Sequence, residues 1–283
     1  MNPVISMDQA KIFIDGTMSE PRLSHPEGLA FDKEGNLWCG GERGEIYRID
    51  PNGQSLEIVA NTGGFSLGMA FDRQDLLYVC DNKHNAVFRL NIRTNELTRF
   101  IDGAKEGIRV PNFPVIDHQR NCLYVSDSYE FGGKGPGVWR FDLTTGEGGL
   151  WFKEAMNFAN GMVLSLDGNV LYVAETFGKQ ISAISIMEDG SAGGKQFVAS
   201  IDALPDGLSV DQVGNIYVSC YEPSMLYRIK REGEVEVLIH DQDAHTLCHP
   251  TNCAFWEDEL YTTNLGRWHI TKFKVGIKGA SLL

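Results

Sequence analysis

Short apolar runs alternate with polar turns along almost the whole chain. The stretch GLAFDKEGNLWCGG (28–41) is representative: two short apolar runs flank the turn KEGN, which predicts a hairpin. The arrangement recurs. Six segments align, opening at HPEG (25–28), SLGM (66–69), PNFP (111–114), ANGM (159–162), PDGL (205–208) and HPTN (249–252). Each holds an apolar run, a polar turn, a run of the YV type, a variable loop, and a third run such as IYRI or VFRL. A fourth run follows five of them: SLEIVA, NELTRFI, GGLWFKE, KQFVAS and EVEVLIH. No helical period competes, so the spacing predicts an all-β repeat of four strands over roughly 40–48 residues.

A four-stranded unit cannot bury both of its faces alone. Packing six of them radially does so, which predicts a six-bladed β-propeller with four-stranded blades. The last unit ends soon after ITKFKV, without a fourth run, while the chain opens with an orphan strand at Lys11 to Ile14. The economical solution is that this N-terminal strand closes the last blade and covers its open edge. Residues 1–283 then form one domain.

Composition narrows the partners. The chain has 283 residues, 42% hydrophobic and 22% charged, with a net charge of -13. That balance is globular. It argues against a nucleic-acid backbone or an anionic membrane surface as partner, and it is compatible with bound cations. The N-terminus lacks the basic region and apolar run of a signal peptide. No apolar run reaches the roughly 18 residues of a membrane span. The six cysteines fit neither a zinc-finger nor a disulfide spacing, and four lie in or beside apolar strand-like runs. They read as buried free thiols in a reducing cytoplasm. A monomer or small homo-oligomer is expected.

The repeat register picks out candidate chemistry. In a propeller the first strand of each blade lines the central channel, and the residue before it sits at the channel mouth. That position holds Glu27, Leu67, Asn112, Asn160, Asp206 and Thr251. Two carboxylates and two amides converging on one axis suit a hard cation such as calcium. Any one of them alone is an ordinary turn residue before a strand; four in one register of a closed ring point to a metal.

At these residues the chain resembles the senescence marker protein/gluconolactonase family, which includes regucalcin. The resemblance runs over nearly the whole chain and is carried by HPEG, VPN, ANG and PDG in order, with GLAFD, GNLW and LYVAET. It implies a six-bladed propeller with one divalent metal near the channel centre, held by Glu27, Asn160 and Asp206. Asn112 is then a fourth or substrate-side ligand, and Asp206 also the general base. The implied activity is lactone hydrolysis on a small-molecule lactone. Glu130, in the loop DSYEFGG, falls close to a glutamate that family sugar lactonases use on substrate hydroxyls. Val110 and Phe113 stand where those lactonases often carry arginine and aspartate, and Arg109 is one place out of register. These departures argue against a polyhydroxylated sugar lactone. Arg109 stays a substrate-side candidate.

His25 and His249 precede proline at the same repeat position in the first and last units, so ring closure makes them neighbours at the channel mouth and candidates for substrate contact. Asp81, Asp127 and Glu175 share a register after YV and read mainly as turn acids. Aromatics on the variable loops, among them Phe131, Phe177 and Tyr221, either wall a pocket or cover blade edges. The same oxygen set also suits a diisopropylfluorophosphatase-like phosphotriesterase. A non-catalytic calcium-binding scaffold is the third reading. Calcium fits oxygen ligands best, with zinc, manganese or iron(II) as further candidates.

Overall fold

The computed structural model describes residues 2–280. They form six antiparallel sheets of four strands each. Strands are lettered a to d from the axis outward in each blade. The a strands are Leu29–Phe31, Ser66–Phe71, Pro111–Asp117, Ala159–Leu164, Pro205–Val210 and Pro250–Trp256. Each touches its neighbour all the way round, the sixth meeting the first, so the sheets close into the expected six-bladed propeller. Blade 6 is completed by Lys11–Asp15, which runs antiparallel to His269–Lys274 with Lys11 opposite Lys272 and Asp15 opposite His269. The N-terminal strand therefore closes the ring.

An aspartate at the end of the a strand or just after it in blades 1, 2, 3 and 5 (Asp32, Asp72, Asp117 and Asp211) explains why those hairpins form where they do. Asp32 accepts hydrogen bonds from the backbone of Glu34 and Asn36 and from the Asn36 amide. It also accepts from the Trp38 indole, at 2.9 Å. Asp211 does the same for Val213, Asn215 and the Tyr217 hydroxyl. A side chain that bonds its own turn replaces a backbone partner and fixes the a–b register.

Hydrophobic packing lies between blades. Val163 and Ile181 of blade 4, for example, pack with Leu208, Val218 and Tyr227 of blade 5 in one buried cluster. All six cysteines are free and buried, and burial pushes every thiol up, so none is a ready nucleophile. Among the described residues no helix is long and apolar enough to cross a membrane.

At the axis the blades meet backbone to backbone. A Cβ added to Gly161 would lie 2.4 Å from the Asp206 carbonyl oxygen, and one added to Gly207 would lie 2.6 Å from the Asn252 Cα. Only glycine permits this approach. That is the physical content of the ANG and PDG motifs: an oxygen-bearing residue, then a residue with no side chain.

Candidate active site

The channel register forms a real cluster. Glu27, Asn112, Asn160, Asp206, Leu67 and Thr251 all line one cavity of about 360 Å³ at one mouth of the channel. In blades 2 to 6 the a–b pairing slips by a bulge-like irregularity across this position. The slips fall between Ser66 and Met69, Pro111 and Pro114, Ala159 and Met162, Pro205 and Leu208, and Pro250 and Cys253. Such a break ends regular pairing and re-aims the side chain inside it, here toward the axis.

The loops leading into the a strands are held by a repeated clamp. Asp127 accepts from the backbone N–H of Arg109 and Val110, at 3.1 and 2.8 Å. Glu175 accepts from that of Asn157 at 2.8 Å, and Asn264 from that of Cys248 at 3.0 Å. Asp81 accepts from the Thr62 hydroxyl. The acids read as turn residues are thus structural clamps that position the channel residues.

A hydroxyl relay fixes how the two amides face. Ser128 Oγ donates to the Ala159 carbonyl at 2.8 Å, so toward Asn112 it can only accept, and Asn112 Nδ2 donates to it at 2.9 Å. Thr176 Oγ1 likewise donates to the Pro205 carbonyl at 2.7 Å and accepts from Asn160 Nδ2 at 3.1 Å. Each NH2 is committed to the wall, which turns each Oδ1 away from it. Ser128 and Thr176 escaped sequence reasoning. The only available signal was their shared place after the clamp acid, in YVSDS and YVAET.

The result is a cluster of unused acceptors. Glu27 Oε2, Asn112 Oδ1, Asn160 Oδ1 and Asp206 Oδ1 are each buried without a hydrogen-bond partner. A buried acceptor left unpaired costs about 1–3 kcal/mol, so four from four blades around one cavity ask for a common partner. Burial pushes Glu27 up to about 7, with Thr251 beside it pulling the other way. Burial first, and then the charge of Glu27, push Asp206 well above the usual carboxylate range, while Asn160 pulls it back in part. The donor set fits a hard divalent cation: two anionic and two neutral oxygens, the amides pre-oriented. Among the described residues no group of three or more His, Cys, Asp or Glu side chains is placed to hold a metal, so the amides are integral to this fit.

The other sequence candidates lie outside that cavity's lining. Arg109 and Glu130 pair with each other at 3.5 Å, both more than half exposed, and Arg109 lies 4.4 Å over the Tyr129 ring. His25 contacts the Glu42 carboxylate and meets Trp268 edge to face at 4.6 Å. His249 stacks on Tyr221 at 4.8 Å and backs the wall, since Tyr221 itself lines the cavity. Of the loop aromatics, Phe131 and Phe177 line the cavity as well. A second cavity of about 300 Å³ lies at the far ends of the a strands, where Phe31, Phe71, His118 and Trp256 line it. The four unpaired oxygens are not there.

Comparison with known proteins bears on the family and the fold. A sequence model described as the SMP-30/Gluconolactonase/LRE-like region matches residues 58–265. The chain belongs to this family. A second model, the strictosidine synthase-like N-terminal region, matches residues 17–49. The curated relatives include lactonase drp35 of Staphylococcus haemolyticus, 24% identical over 81% of this chain and 74% of its own. Among solved structures, a Xanthomonas campestris gluconolactonase superposes with a TM-score of 0.76 at 19% identity, covering 96% of this chain and 89% of that one. Regucalcin from Agrobacterium tumefaciens, described as a calcium-binding protein, superposes with a TM-score of 0.73 at 16% identity over 91% of both chains. At such identity these two neighbours speak to the fold, and the propeller is common to family and chain.

Proposed function

We propose that the protein is a lactonase that uses one divalent cation held by Glu27, Asn112, Asn160 and Asp206, with Asp206 as general base. The observation that carries this reading is the convergence of four buried, unpaired oxygens from four blades on one cavity. Family membership and the drp35 lactonase relatives support the reaction class. Calcium is the favoured ion, because every donor is a hard oxygen and because a structural neighbour is described as calcium-binding.

When bound, the cation supplies Lewis-acid polarisation of a carbonyl and a more acidic water. The chain's own residues do the rest. Glu27 and Asp206 bring negative charge into a site that has lost bulk solvation. Asn112 and Asn160 add neutral oxygens whose direction Ser128 and Thr176 hold. Asp206 takes a proton from the attacking water through a carboxylate oxygen. Water adds to the acyl carbon, the bond from that carbon to the ring oxygen breaks, and the ring oxygen leaves as an alcohol, taking the proton that Asp206 had accepted. One lactone and one water give one hydroxy acid, which at neutral pH releases one proton.

That proton is the assay. A panel of γ- and δ-lactones, followed by proton release with and without added calcium, is expected to show calcium-dependent opening of at least one ring. Turnover of a phosphotriester with none of any lactone would replace this reading by the phosphotriesterase one. No turnover of either would leave a binding scaffold.

A further inference from the structure

We propose that the substrate is a lactone carrying an apolar alkyl or aryl substituent, which lies against an aromatic wall on blades 3 and 4. This rests on the lactonase reading and adds to it the class of substrate.

The repeat register carries the argument one layer above the oxygens. Two residues before the channel position, blades 2 to 5 place Phe65, Val110, Phe158 and Leu204. All four line the cavity, so an apolar collar stands directly over the polar floor. Phe131 and Phe177 extend it outward. Phe131, Phe158 and Phe177 form an edge-to-face trio, with ring centroids 4.9 Å apart for two pairs and 6.2 Å for the third. Phe131 leaves 87% of its surface exposed at the rim, where a bound apolar group would cover it. Phe158 holds a φ of 63°, a left-handed conformation that it shares with His25 and His249 at the same repeat position and that sets its ring over the cavity it lines.

Above the polar floor the lining offers Asn82 and Tyr221 as polar side chains, while the charged candidates for binding a sugar lie outside it. Arg109 and Glu130 satisfy each other outside the lining. The hydroxyls of an aldonolactone would meet phenyl rings and aliphatic branches, and a desolvated hydroxyl without a partner lowers affinity by roughly tenfold or more. An alkyl chain on the same ring gains from that wall, at about three- to fourfold per methylene.

The test pairs turnover with binding. With saturating calcium, kcat/KM is measured for δ-valerolactone, δ-octalactone, δ-decalactone and D-glucono-δ-lactone. In parallel, calorimetry measures binding of the non-hydrolysable δ-valerolactam and its alkyl-substituted homologue. The expected result is a rise in kcat/KM with chain length, glucono-δ-lactone at least tenfold below δ-valerolactone, and tighter binding of the alkyl lactam. Phe131→Ser, a change at an exposed side chain that spares the core, flattens the dependence on chain length in both measurements. Turnover or binding that ignores the chain, or glucono-δ-lactone as the best substrate, overturns the proposal and leaves the lactonase standing. Failure of every lactone, with lactam binding still graded by chain length and blunted by Phe131→Ser, sinks the lactonase reading and keeps the apolar pocket.

Discussion

The two duties proposed for Asp206 can be separated by substitution. As a ligand it offers an oxygen, which asparagine also has; as a base it accepts a proton, which an amide cannot do at neutral pH. Asp206→Asn is therefore expected to retain some metal yet lose turnover by about a hundredfold or more at any metal concentration. Glu27→Gln removes charge alone and is expected to recover as calcium is raised. Turnover of a simple δ-lactone against calcium concentration distinguishes them, and a metal-loaded Asp206→Asn protein near wild-type turnover refutes the base assignment. At this scale the four oxygen-bearing residues were legible, because a repeat register needs only the chain itself. Ser128 and Thr176 were not. Their role depends on carbonyls of the next blade, at Ala159 and Pro205, and no local pattern announces such a partner. The directions of Arg109, Glu130, His25 and His249 escaped for a related reason: each points where a neighbouring loop side chain or its own ion-pair partner draws it.

The a strands set the site's dimensions. Their glycines let blades 4 and 5 touch through backbone at the level of the proposed ligands, with Gly161 over the Asp206 carbonyl. Gly161→Ala is predicted to force that contact open, costing roughly 1–3 kcal/mol of stability as overpacking, and to weaken calcium binding more than a methyl group at an exposed strand position would. Thermal unfolding and calcium calorimetry on the same variant check both halves; unchanged calcium affinity in a folded Gly161→Ala protein would show that the a strands do not set the ligand spacing. The strands themselves, including the closing strand from the N-terminus, were legible from alternation and turn residues. The register slips that aim the channel residues of blades 2 to 6 were not, because a bulge is a property of a pair of strands.

For the molecule as a whole, the ring concentrates negative charge where water is scarce. Without a cation, that charge opposes folding. Glu27 rises from an ordinary value of 4.5 to about 7 through burial, so its folded state favours the proton. The stability this confers is full below about 4.5 and is lost as pH climbs through about 7. Asp206, raised by burial and by Glu27, acts in the same direction. Chelated protein is thus expected to lose roughly 3 kcal/mol from Glu27 alone between these limits, seen as a falling midpoint in urea unfolding. Calcium should reverse the loss and do so most strongly at the alkaline end. A chelated protein whose stability rises with pH across this window contradicts the burial of an unpaired acid pair.

The most direct measurement is a calcium titration of protein first stripped by chelator, with bound calcium and turnover of a responsive lactone read from the same samples. The account predicts one ion per chain, negligible turnover before calcium is added, and activity that rises in step with occupancy. Full turnover in the stripped protein, or an ion that binds without changing turnover, would contradict it.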